Sequence, residues 1–130
     1  MRIMKVVLIS LFSILIFAIV LSTLMHRAEN PESYFDDYEE AKASGIMDKG
    51  WIPTFIPKSS TEIYEQHNID INWVRMRFKY RIGDMSATRN ACSNEVAIKN
   101  GVQFICEYFN NKVTLKLYND GTAELQSMPK

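Results

Sequence analysis

The sequence predicts an α+β protein: an N-terminal transmembrane helix, then one helix packed on an antiparallel sheet of about five strands. Three observations predict it. Residues 6–25 read VVLISLFSILIFAIVLSTLM, with no charge in the run. Residues 72–81 alternate apolar with basic side chains, the period of a half-buried strand. Two short turns rich in Asn, Asp and Gly divide residues 102–126 into three strand-like runs.

The apolar run comes first. A helix of about 20 residues rises far enough to cross a hydrocarbon core of roughly 30 Å. Ser10, Ser13, Ser22 and Thr23 within it can bond back to helix carbonyls, so they do not forbid insertion. The competing reading is a cleaved signal peptide, whose apolar region runs about 7 to 15 residues and ends in a small-x-small site. This run is longer, and its best such site, Val20-Leu21-Ser22, is a poor match. Arg2 and Lys5 precede it, while Arg27 and then Glu29, Glu32, Asp36 and Asp37 follow. That asymmetry keeps the N-terminus in the cytoplasm and places the rest outside, on the inner (plasma) membrane. The expected organisation is a cytoplasmic N-terminus over residues 1–5, a transmembrane anchor over 6–25, a juxtamembrane linker over 26–33 and an extracytoplasmic domain over 34–130.

A helix is expected next. Asn30 can cap it with Pro31 at the first position, and Glu32, Asp36 and Asp37 complement the positive end of its dipole. Tyr34, Phe35, Tyr38 and Ala41 recur at three-to-four spacing, and the helix should end near Ser44 or Gly45. Residues 50–57, GWIPTFIP, carry two prolines that exclude regular helix. They read as an extended segment laid on the core by Trp51, Phe55 and Ile56.

Residues 61–67 and 72–81 form the first hairpin, around a four-residue loop 68–71. That register pairs His67 with Asn72, Tyr64 with Arg75, Ile63 with Met76 and Glu62 with Arg77. Residues 83–100 are polar and turn-rich, with one short helix expected near 94–99. The chain closes as a meander: 102–109, a turn at Asn110-Asn111, 113–118, a turn at 119–121, and 122–126. The strand 102–109 is apolar on both faces and reads as central.

The run GWIPTFIPKSSTEIYEQHNIDINWVRMRFKY, residues 50–80, is similar to a pattern in uncharacterised small bacterial membrane-anchored proteins, and the resemblance covers about residues 34–81. The pattern consists of Gly-Trp-Ile/Leu-Pro, a second Pro, a hydroxyl-rich turn and a β-hairpin. The resemblance implies one folded module and carries no activity, ligand or catalytic residue with it.

Charge and cysteines narrow the function classes. The chain is neutral overall, with 15 basic and 15 acidic side chains. Every acid follows the apolar run, so the domain is mildly acidic and nucleic acid is not an expected partner. The two cysteines, Cys92 and Cys106, fit no metal motif, and an even pair in an exported domain reads as a disulfide. Cofactors: none are expected, no metal site is expected, and no catalytic motif is present. His67 beside Asp70 could form a general-base pair, but a loop His beside an Asp is more commonly a turn hydrogen bond.

The distinctive surface feature is the strip Trp73, Arg75, Arg77, Lys79 and Arg81, projecting at roughly 7 Å intervals along one side of a strand. Its charges need a balance, supplied by Glu62, by the acidic residues 36–40, by anionic lipid or glycan, or by an acidic partner. The leading expectation is therefore a membrane-tethered binding module, envelope-associated or of immunity type, with an extracytoplasmic protein partner. An envelope-acting enzyme and an accessory subunit of a membrane complex are the alternatives.

Overall fold

The structure is a computed structural model and describes residues 1–128. It divides into two compact units, one ending at Pro31 and the other beginning at Glu32. The first is a single helix, α1 (Arg2–Glu29), longer at both ends than the uncharged run that nucleates it. Ser10 and Thr23 donate their hydroxyl protons to the carbonyls of Val7 and Val20, which satisfies both hydroxyls inside the helix. Among the described residues it is the one helix long and apolar enough to cross a membrane.

The second unit carries a seven-stranded antiparallel sheet, not five strands. In chain order its elements are β1 (Glu32–Asp37), α2 (Tyr38–Ala43), β2 (Thr61–Asn68), β3 (Trp73–Lys79), α3 (Ser86–Ala91), β4 (Ser93–Ile98), β5 (Gly101–Tyr108), β6 (Asn111–Tyr118) and β7 (Thr122–Met128). The spatial order β1-β2-β3-β7-β6-β5-β4 joins two meanders, because β7 folds back to pair with β3. β5, expected to be central, is paired on both sides but lies next to the edge strand β4, and β7 holds the middle.

Two segments expected to be helical are strands. Residues 32–37 pair with β2, Tyr34 opposite Tyr64 and Phe35 opposite Ile63. The helix starts later because Asp37 caps it: Asp37 Oδ1 accepts from Glu40 N–H at 2.8 Å, and Glu40 Oε2 accepts from Asp36 N–H at 2.6 Å. This reciprocal box at Asp37 outcompetes the cap at Asn30. Residues 93–98 likewise extend along β5 as β4, while the short helix lies earlier, at α3. The disulfide Cys92–Cys106 sits at that junction, its Cα atoms 4.4 Å apart, and holds the start of β4 against β5.

The core lies on one face of the sheet. Met76, Phe78, Phe104, Leu115, Leu117 and Leu125 form its floor. Tyr38 and Ala41 of α2, with Ile46, Met47, Ile52, Phe55 and Ile56 from the connection to β2, form its lid. That connection is a chain of turns rather than an extended segment. Its backbone is held by side chains: Tyr38 Oη donates to the Thr54 carbonyl at 3.0 Å, and buried Thr88 Oγ1 to that of Phe55 at 2.8 Å. Pairing these carbonyls avoids the cost of burying them unsatisfied.

Candidate functional site

The opposite face of the sheet is the polar one, and β3 places the predicted strip on it. Arg75, Arg77 and Lys79 are exposed and Trp73 half-buried. Arg81 is exposed as well but lies beyond the end of the strand. β3 ends at Lys79, and the Arg81 backbone N–H donates to Ser59 Oγ at 3.0 Å in the following turn. Nearby Asp84 is held below the usual carboxylate range, first by hydrogen bonds from Ser59 and then by the charges of Arg81 and Lys58.

The hairpin register differs from the predicted one by two residues. His67 faces Val74, Tyr64 faces Arg77 and Gln66 faces Arg75. The offset arises at the loop, which spans 69–72, one residue later than predicted, because Asn68 pairs with Trp73. A bulge between Thr61 and Tyr64 shifts the register again at the far end of the strand, with Glu62 at φ 49°. Side-chain parity survives, since a shift of two keeps every residue on its face. Ile63 and Met76 are both fully buried.

In the observed register the strip meets different neighbours. Lys79 Nζ donates to Glu62 Oε1 at 2.8 Å, with both side chains more than half exposed. Arg77 lies opposite Glu124 of β7, which in turn lies opposite Lys116 of β6. One acid is thus flanked by two cations. Arg75 lies between two amides, Gln66 and Gln126. Its guanidinium sits 5.1 Å from the Trp73 ring centre, and that of Arg77 sits 5.4 Å from the Tyr64 ring centre. Tyr64 in turn packs on Tyr34 at 5.1 Å. Stacking orients a guanidinium plane while leaving its edge donors outward.

A groove of about 610 Å³ runs over β7 between the arginines and Lys116, lined also by Gln103, Glu124 and Gln126. Lys116, Glu124 and Gln126 are functional candidates that reading β3 alone missed. Their signal was present as alternation in the last two strands, but only the β3–β7 pairing, distant in sequence, brings them beside the arginines.

His67 does not pair with Asp70. It is buried on the core face, where its Nδ1 lies 2.6 Å from Oε1 of Glu65, itself fully buried. The Trp51 ring stacks on the imidazole at 3.8 Å and 12°. Burial pushes the Glu65 carboxyl up to about 8, opposed in part by the Ser33 hydroxyl across the strand pair. Burial, and secondarily the charge of Lys49, holds His67 below its ordinary range. Glu65 Oε2 has no hydrogen-bond partner among the described residues. Both groups are therefore neutral near pH 7, the carboxyl protonated and the imidazole carrying a single N–H. A buried ion pair with an orphaned oxygen would cost more than this neutral pair. Among the described residues no three His, Cys, Asp or Glu side chains converge as a metal site.

Comparison with known proteins adds one similarity. The family model of the YbbD head domain matches residues 29–79. That stretch runs from the end of α1 through β3 and includes Trp51, Glu65, His67 and the arginines of the strip. No curated protein and no solved structure matches the chain. Over less than half of its length, the chain is similar to the YbbD head domain.

Proposed function

We propose that the chain is a single-pass inner-membrane protein, N-terminus in the cytoplasm, that displays a small binding domain outside it. The open face of the sheet binds an acidic extracytoplasmic protein. The uncharged helix, the basic residues before it and the disulfide support the placement. The observation that supports the binding face is the arginine pair. Arg75 and Arg77 are exposed, each guanidinium lies near an aromatic ring, and neither side chain donates a hydrogen bond to a described residue. Oriented forks of this kind suit carboxylates, which they hold through paired hydrogen bonds. Lys79 is paired with Glu62 and Arg77 shares Glu124 with Lys116 across the strands, whereas Arg75 has no acid opposite it, so Arg75 is the centre of the face.

A photo-crosslinking residue at Gln126 in the full-length protein, activated in intact cells, tests this. One discrete adduct is expected, absent when the crosslinker replaces Glu39 of α2 and weakened at least fivefold by Arg75→Glu. Equal adducts at both positions, or none at Gln126, would remove the proposal.

A further inference from the structure

Three large apolar side chains stand exposed at one end of the sheet: Ile69 at 56%, Ile71 at 58% and Phe109 at 65%. Ile69 and Ile71 lie in the loop joining β2 to β3, and Phe109 in the two-residue turn joining β5 to β6. The two loops border one surface. Asn111 Nδ2 donates to the Asn72 carbonyl at 3.5 Å, and Asn72, Phe109 and Asn111 line one cavity of about 310 Å³ with Gly50 and Trp51.

The Phe109 ring packs edge-on against Tyr108 at 4.7 Å, yet most of it stays exposed. The turn has both central residues at positive φ, Phe109 at 47° and Asn110 at 63°, a conformation suited to Asn and Gly. A bulky aromatic there is an outlier, and such outliers persist where function holds them. Gly50, at φ +80°, makes room for the ring: a Cβ at that position would stand 2.8 Å from Phe109 Cε2. In the other loop, Asn68 Oδ1 accepts from the backbone N–H groups of Asp70 and Ile71 at 3.0 Å each. Ile69 and Ile71 are therefore carried on an ordered turn, with Asp70 between them.

Chain connectivity bears on what covers these side chains. Glu32 opens β1 and pairs with Gln66, so the chain enters the sheet at the end that carries the 69–72 loop. Only residues 26–31 separate Glu32 from the end of the apolar run at Met25, and the first four of them continue the helix. We propose that this end of the sheet is a lipid-contact surface, with Ile69, Ile71 and Phe109 dipping into the headgroup–acyl boundary while the Asp70 carboxylate stays in water. The proposal rests on the helix being membrane-inserted and is independent of what the polar face binds.

Full-length protein in phosphatidylcholine bilayers tests it, with acyl-chain bromines near the headgroup in one sample and near the chain end in a second. Position 15 is read against the chain-end bromines, and positions 70 and 119 against the headgroup-proximal ones. A single environment-sensitive fluorophore is attached after Leu15→Cys, Asp70→Cys or Asn119→Cys, the last lying at the opposite end of the sheet. Strong quenching is expected at 15 and 70, at least threefold weaker at 119. Ile69→Ser, Ile71→Ser and Phe109→Ser together should bring quenching at 70 down to the level at 119. Quenching at 15 but not at 70, equal quenching at 70 and 119, or no effect of the three serines overturns the lipid contact alone. No quenching at 15 overturns membrane insertion, and the lipid contact with it.

Discussion

His67 Nδ1 and Glu65 Oε1 lie 2.6 Å apart on the buried face of one strand, so two titratable groups share a hydrogen bond inside an apolar core. The pair gives stability a particular pH dependence. Glu65 titrates at an ordinary 4.5 when unfolded and at about 8 when folded. Between those values the folded state holds a proton that the unfolded state has lost, so stability falls as pH rises, by up to about 1.4 kcal/mol per pH unit. His67 acts oppositely. Its folded pKa lies below the ordinary 6.5, so below pH 6.5 the unfolded state gains a proton first and stability falls with acid. The two terms oppose each other below 6.5, and Glu65 acts alone from there to about 8. Thermal unfolding of the full chain in nonionic detergent should show Tm decreasing from pH 6.5 to 8. Glu65→Gln should flatten that decline, and an unchanged slope would show that another group carries it.

The disulfide closes a loop with a sequence separation of 14. Chain-entropy reasoning assigns such a loop about 3 kcal/mol. Reduction, or Cys92→Ser with Cys106→Ser, should lower stability by about 2–4 kcal/mol in denaturant titration. Denatured but unreduced protein from cells should offer no thiol to alkylating reagent. Two labelled thiols would contradict both the bridge and an oxidising location.

Gly101 opens β5 opposite Tyr118, and a Cβ there would overlap the Leu117 carbonyl. Its φ is not in the left-handed region, so the constraint is space alone. Gly101→Ala should cost about 1–3 kcal/mol by forcing the β5–β6 pair apart. Thermal melts beside a Gly45→Ala control separate the causes, since Gly45 has open space but a φ of +77°. If Gly45→Ala alone is destabilising, the close approach at Gly101 is relieved by strand movement.

The legible parts of the fold were those whose signals are local. Val74, Met76 and Phe78 alternate against Arg75, Arg77 and Lys79, and they form a strand with the expected faces. Where two local patterns competed, long-range pairing decided. Tyr34, Phe35 and Tyr38 fit helical spacing, yet β2 offers Glu32–Asp37 a full ladder of partners. Residues 93–98 carry Asn94 and Glu95 and look unlike a strand, but β5 and the Cys92–Cys106 bridge extend them. For the candidate site, the β3 half was legible and the β7 and β6 half was not, because the neighbours of Arg75 and Arg77 are set by a pairing some fifty residues away in sequence. Glu65 was legible in principle: Ile63, Glu65 and His67 share one face, and an acid between a buried Ile and a His points to burial.

Arg75 and Lys79 sit on one strand with the same charge and opposite circumstances, which lets mutation separate structure from binding. Lys79 has Glu62 at 2.8 Å, with both side chains more than half exposed, and exposed pairs contribute roughly 0–1 kcal/mol. Arg75 faces only amides across β2 and β7. Lys79→Glu should therefore cost at most about 1 kcal/mol, from repulsion with Glu62. Arg75→Glu should change stability by no more than about 0.5 kcal/mol, as surface substitutions away from such pairs usually do. Binding should rank them the other way. Arg75 borders the groove beside Gln126, whereas Lys79 lies outside it, so the crosslinked adduct at Gln126 should fall sharply with Arg75→Glu and little with Lys79→Glu. Denaturant melts and adduct yields on the same two variants give both rankings. If Arg75→Glu lowers stability by several kcal/mol while the adduct persists, the strip holds the sheet together and is not a binding face.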